Sequence, residues 1–249
     1  MSGGYASKLE KIQIFKKSKL LKFIFKLFYP PMPTLNIIEA KTLKEIQKYL
    51  FNNQSKILNF GNGKSTGSGI RLWKTNFLNL SNVINLDINI GDNVHVVGDG
   101  QNLPFKNNFF DSVICQAVLE HVEKPNQMVS EIKRVLKPHG FLYIEVPFLQ
   151  GFHADPNDFQ RYTLEGLKVL MKDFEIVKYG VSVGPFCTLV WILRDGISSY
   201  FKNKFLFYIV RFVVSWIFSP LRYFDFLVKN RPMFHRLASE NYILVKNTK

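Results

Sequence analysis

"FDSVICQAVLEHVEKPNQMVSEIKRVLKPHGFLYIEVP", residues 110–147, is the stretch whose reading decides the fold. Two short apolar runs, Asp111–Cys115 and Phe141–Val146, have the length and residue types of buried strands. Between them Pro125 opens a helical pattern that continues to Leu136, and Lys137-Pro138-His139-Gly140 ends it. Strand, helix, strand in this order predicts parallel strands with helices packed over them.

The same alternation extends outward in both directions. On the N-terminal side lie a helical pattern at Thr42–Leu50 and strands at Lys56–Phe60, Val83–Asp87 and Val94–Val97. On the C-terminal side "FEIVKYGVSV" and "NYILVK" each read as one further strand. The expectation is an α/β domain on a seven-stranded, mostly parallel sheet with helices on both faces, over residues 34–185 and 240–249. Cys115 and Cys187 are the only cysteines, without paired spacing, so neither a disulfide framework nor a zinc knuckle is expected and no metal ligands are assigned.

The formal charge of +14 is distributed unevenly. Residues 1–56 carry +8, residues 57–180 carry −1 and residues 181–249 carry +7. An anionic partner is therefore met by the ends of the chain, not by its centre. Residues 1–33 are read as a basic amphipathic helix: Leu20, Ile24 and Leu27 share one face, Lys19, Lys22 and Lys26 the other, and Pro30 to Pro33 break it. Lysines interrupt its apolar run and no small-residue cleavage site follows, which argues against a secretory signal. Residues 186–239 form a hydrophobic but basic helical insertion before the last strand. Its longest apolar stretch is 17 residues with Arg211 inside, short of the roughly 20 needed to span a bilayer, so helices in a membrane interface or a lid are expected.

The first strand runs into "GNGKSTGSG" at Gly61–Gly69. A phosphate-binding P-loop would require glycine at position 58, which is Leu58. The spacing of Gly61, Gly63 and Gly67 is one residue too long for the dinucleotide fingerprint. Asp87 ends the second strand 24 residues beyond Gly63, where a carboxylate can accept both hydroxyls of a ribose. Asp99, in "GDGQNLPF", closes the third strand within reach of an adenine amino group.

This ordered set, with "GDGQNLPF", "FDSVICQAVLEHVEKP" and "EIKRVLKPHGFLYIEVP", resembles class I S-adenosyl-L-methionine (SAM)-dependent methyltransferases of the "type 11" group over about residues 55–180. The resemblance implies a Rossmann-like fold and SAM as cofactor. It places Gly61 and Gly63 at the methionine end of SAM, Asp87 at the ribose, Asp99 with Gly100 and Gln101 around the adenine, and Gln116 near the transferred methyl. The family's acidic residue in the first motif is Asn59 here and its third glycine is Ser65. Asn59 can hydrogen-bond to the cofactor but cannot pair ionically with its ammonium.

Methyl transfer to an alcohol or amine also needs a group that takes the acceptor's proton. The stretch after the fifth strand, "FHADPNDFQRYT", supplies His153 as a general base, with Asp158 beside it and Arg161 to hold an anionic group on the substrate. The competing reading makes Asp158 and Arg161 a structural ion pair. His121 is read as structural and His139 as a solvated turn residue. The segment resembles one in methyltransferases associated with bacterial surface-polysaccharide synthesis. Together these readings give an O-methyltransferase for a lipid-linked or surface glycan, cytoplasmic and peripheral at the inner face of an anionic membrane. An RNA methyltransferase, a quinone-type small-molecule methyltransferase and an inactive SAM-binding relative stay open, although basic regions interleaved with aliphatic runs argue against nucleic acid.

Overall fold

A computed structural model describes residues 37–51, 54–61, 82–91, 93–154 and 156–248, with side chains from residue 41 onward. The expected helix of residues 1–33, the loop positions Gly63 and Ser65, and Asp155 lie outside the described residues.

Helix α1 (Ile37–Leu50) leads into β1 (Ile57–Phe60), β2 (Val83–Asp87), β3 (Val96–Val97) and β4 (Phe110–Gln116). A 3-10 turn (Leu119–His121), α2 (Pro125–Val135), β5 (Leu136–Pro147), α3 (Leu164–Leu170) and β6 (Glu175–Val183) follow. The insertion contributes α4 (Pro185–Ser199), α5 (Lys204–Phe218), a 3-10 run (Ser219–Phe224), α6 (Asp225–Val228) and a second 3-10 turn (Phe234–Leu237), before β7 (Glu240–Lys246).

The seven strands stand in the order β3-β2-β1-β4-β5-β7-β6. Strands β1 to β5 pair in parallel, and β7 runs antiparallel to both β5 and β6. Side chains alternate across the pleat. Leu58, Val113, Cys115, Leu142, Ile144, Ile243 and Val245 point to one face, where they bury Met128 and Ile132 of α2 and Leu167 of α3. Ile57, Ile114, Tyr143, Tyr242 and Leu244 point to the other, against Leu43, Ile46 and Leu50 of α1. Both faces are covered, as parallel pairing requires.

Helix α1 starts at Ile37, five residues before the expected Thr42, and two strands differ from the sequence expectation. Strand β5 begins at Leu136, not Phe141, because the Lys137–Gly140 stretch is hydrogen-bonded rather than a free turn. His139 N–H donates to the Asn247 carbonyl (3.1 Å), and Asn247 N–H donates to that of Gly140 (2.8 Å). His139 itself is exposed at φ 62. Strand β3 contracts to Val96–Val97, since His95 Nδ1 accepts the Asn85 N–H (2.9 Å) where strand pairing would otherwise continue.

The insertion folds back on itself. Arg211 of α5 and Arg194 both bond Asp195 of α4, at 2.9 Å each. Asp225, fully buried, accepts the N–H groups of Phe186 (2.8 Å) and Cys187 (3.3 Å), so that α6 caps the first turn of α4. Helical geometry also continues past Pro220, which the sequence reading did not anticipate. The run Lys204–Val228 spans 25 residues and contains an 18-residue window of mean hydropathy 1.5, enough by length and composition to cross a membrane.

Candidate functional site

The carboxyl ends of the parallel strands form one edge, and the chain there is built for close backbone approach. Gly61 sits at φ 77, and a Cβ on it would lie 2.8 Å from Val118 Cγ2. Only glycine fits both the conformation and the space. Gly61 N–H donates to the Leu86 carbonyl (3.1 Å), and Gly98 N–H donates to that of Asp87 (2.9 Å). These bonds set Gly61, Asp87 and Asp99 at adjacent strand ends.

The Asp87 carboxylate accepts the Asn89 N–H (2.8 Å), which orients it at the tip of β2. Asp99 accepts the Gln101 N–H (2.8 Å) and the Gln101 side-chain amide (3.1 and 3.2 Å). Gln101 is fixed in turn by Lys124 N–H and Gln127 Nε2 at the start of α2. Gly100 packs so tightly that a Cβ would meet Met128 Cε at 2.9 Å and Phe60 at 3.2 Å. Gly61, Asp87, Asp99, Gly100 and Gln101 are therefore brought together. They fit an adenosine with an attached amino acid: a backbone cradle at one strand end and carboxylates at the next two.

Asn59 and Gln116 both bond to neighbouring strands. Asn59 is buried, and its Nδ2 donates to Asn85 Oδ1 (3.0 Å), tying β1 to β2 beneath the cradle. Gln116 Nε2 donates to Glu145 Oε2 (2.6 Å), which also accepts the Tyr143 hydroxyl (3.0 Å).

A second wall rises where the loops after β4 and β5 are stitched together. Phe159 N–H donates to the Glu120 carbonyl (2.7 Å), and Gln160 Nε2 reaches the carbonyls of Leu119 and Val122. Asp158 and Arg161 form a bidentate ion pair, and Asp158 also accepts the His153 N–H (2.8 Å). Arg161 holds Asp158 far below the usual carboxylate range. Further Arg161 donors meet the Gly151 and Gln160 carbonyls. The Asp158–Arg161 pair thus braces the loop that carries His153.

Inside that brace stands a group the sequence reading passed over. The Glu120 side chain is 0% exposed, and neither of its oxygens has a hydrogen-bond partner among the described residues. Nε2 of His121 and Nε2 of His153 each lie 3.7 Å from Glu120 Oε1. Proximity to the Glu120 carboxylate raises the His153 pKa, against partial burial. Trp191, from the insertion, closes the far side: its ring centroid is 6.1 Å from that of His153, and Gly151 lies against its Nε1. Glu120 in "LEHV" reads as an ordinary helix residue, and Trp191 is 38 residues from His153 along the chain, so neither carried a local signal. Both cysteine thiols are buried and pushed up by that burial, which leaves them out of the chemistry.

Strand order, edge acids and glycine cradle together define the Rossmann-like class I methyltransferase fold. Comparison with known proteins agrees: residues 58–144 match the type 11 family described as "Methyltransferase domain". Uncharacterized protein MJ1123 of Methanocaldococcus jannaschii is 41% identical over 51 residues, 20% of this chain and 25% of that protein. Uncharacterized protein MJ0638 of the same organism is 33% identical over 132 residues, 45% of this chain. The chain spans only a quarter of the first relative and 57% of the second. Among solved structures, Haemonchus contortus phosphoethanolamine N-methyltransferase 2 in complex with SAM superposes with a TM-score of 0.52 at 16% identity, covering 84% of this chain and 52% of that one.

Proposed function

We propose that the protein is a SAM-dependent methyltransferase that O-methylates a lipid-linked or surface glycan at the cytoplasmic face of an anionic membrane. The observation that carries the methyltransferase reading is the convergence of Gly61, Asp87 and Asp99 on one sheet edge, beside a wall holding Glu120 and His153. In this reading Asp87 accepts the ribose hydroxyls, Asp99 and Gln101 border the adenine, and the Gly61 backbone lies against the methionine portion. Bound SAM supplies an electrophilic methyl group. The chain positions the acceptor in line with it and excludes water from the reacting atoms. Deprotonation of the acceptor hydroxyl falls to the Glu120–His121–His153 cluster.

The membrane-side acceptor is supported by the insertion. Phe205, Tyr208, Ile209, Phe212, Val213 and Trp216 follow i, i+3/i+4 spacing along α5 and are exposed, from 40% at Phe212 to 73% at Phe205. An outward apolar stripe on a segment of charge +7 matches an interfacial helix on anionic lipid. The same insertion supplies Trp191 of α4 to the site, so the apolar surface of α5 and the acceptor wall belong to one insertion.

The test is transfer of labelled methyl from SAM by the full chain to a membrane glycolipid extract. Label in the lipid-linked glycan fraction, lost in Asp87→Ala, is the expected outcome. Label confined to RNA or to a prenylquinone fraction would contradict the acceptor class.

A further inference from the structure

Glu120 poses a physical problem that the cofactor edge does not resolve. A carboxylate withdrawn from solvent with neither oxygen hydrogen-bonded is costly, and such groups are normally paired or coordinate a cation. Two imidazoles face it, each already oriented from behind. His121 Nδ1 bonds the Asn157 carbonyl, and His153 Nδ1 bonds the Gly151 carbonyl at 2.9 Å. A carbonyl accepts only a proton, so both rings carry N–H at Nδ1, which leaves each Nε2 as the atom that can take a cation once deprotonated. Both Nε2 atoms lie 3.7 Å from the same oxygen, Glu120 Oε1. That separation is too long for a hydrogen bond.

We infer that Glu120, His121 and His153 form a binding site for one divalent transition-metal ion of the zinc class. The three ligating atoms lie within 4.8 Å of one another. Ligands around a tetrahedral zinc at about 2.0–2.1 Å stand roughly 3.4 Å apart, so each imidazole nitrogen closes on Glu120 by about 0.3 Å and the two rings turn toward each other to complete the set. Two imidazole nitrogens and one carboxylate oxygen suit zinc, iron(II) or cobalt(II), and do not suit magnesium or calcium, which prefer all-oxygen sites. The Nδ1–H bonds to backbone carbonyls are the outer-shell contacts that fix ligating histidines. Three protein ligands leave at least one coordination position open, the pattern of catalytic zinc and not of structural zinc.

The use of that position rests on the methyltransferase reading above. An acceptor hydroxyl bound there is acidified as a zinc-bound water is. Its O–H bond breaks, and the proton passes to solvent, which reaches the site past the partly exposed His153. The oxygen's electron pair forms the new O–CH3 bond while the S–CH3 bond breaks, leaving its pair on sulfur as a neutral thioether. His153, expected from the sequence as a general base, is then a ligand.

The experiment uses tag-free full chain, stripped by chelator and titrated with CoCl2 and then ZnCl2, read by visible absorption and calorimetry without SAM. One equivalent of cobalt with visible bands, displaced by zinc and not by MgCl2, is expected. Glu120→Gln and His153→Ala are expected to weaken zinc binding by at least about tenfold. Circular dichroism identifies any variant that fails to fold, and His153→Asn on the more exposed loop is the second substitution for that case. Absence of binding by the stripped wild type, or variants that bind as it does, overturns the site. SAM binding without metal binding overturns this inference alone. Metal binding without SAM binding upholds the site and contradicts the methyltransferase reading.

Discussion

Asp87 holds its carboxylate at the tip of β2 with a bond from Asn89 N–H, a position suited to a ribose diol. Charged hydrogen bonds contribute about 1.5–3 kcal/mol. Asp87→Ala is therefore expected to weaken SAM binding by about 10- to 150-fold in calorimetry, with little change in melting temperature. Gly61 behaves differently, because φ 77 and Val118 at 2.8 Å from a built Cβ oppose any side chain. Gly61→Ala is expected to lower both melting temperature and SAM affinity. Both residues were legible in the sequence, since a glycine after a strand and an acid ending the next are local patterns. Glu120 was not, because its role arises from burial and from two rings carried by different loops. The Asp158–Arg161 ion pair was among the readings the sequence allowed, but the three backbone carbonyls that Arg161 also bonds were not, since no sequence displays them.

At the scale of elements, α2 is tied to the loop before β4 through one ion pair. Arg134 bonds Glu131, the Leu103 and Phe105 carbonyls and Asn107, while Glu131 also accepts the Leu103 N–H (2.8 Å). Arg134 lowers the Glu131 pKa. A depressed carboxyl stabilises the fold above its unfolded pKa, about 4.3, and that contribution disappears as pH falls through the lower folded value. Denaturant midpoints should therefore show the wild type more stable than Glu131→Gln at pH 7, with a smaller difference at pH 3. Equal differences at both pH values would contradict this. In the insertion, Asp225→Ala removes the carboxylate that caps α4 and should cost about 1–2 kcal/mol, measured by chemical unfolding. Element type was readable from periodicity, and β2 matched at both ends. Strand β5 was misjudged because a distant partner, Asn247, overrides the local breaker at Lys137–Gly140.

For the whole molecule, sheet, edge and insertion combine a cofactor site with an apolar, basic surface. Each Lys or Arg near an anionic leaflet contributes about 1 kcal/mol, screened by salt. Co-sedimentation with anionic liposomes should therefore decline with ionic strength. It should also fall in Phe212→Ser/Trp216→Ser, which removes apolar area from the exposed stripe of α5. Retention unaffected by either change would contradict the membrane reading. The central claim, that the edge formed by Gly61, Asp87 and Asp99 holds SAM, is tested most directly by calorimetric titration of the full chain with SAM. The account predicts saturable binding at one site per chain, weakened at least about tenfold in Asp87→Ala. No binding by the wild type, or equal affinity in the variant, would contradict it.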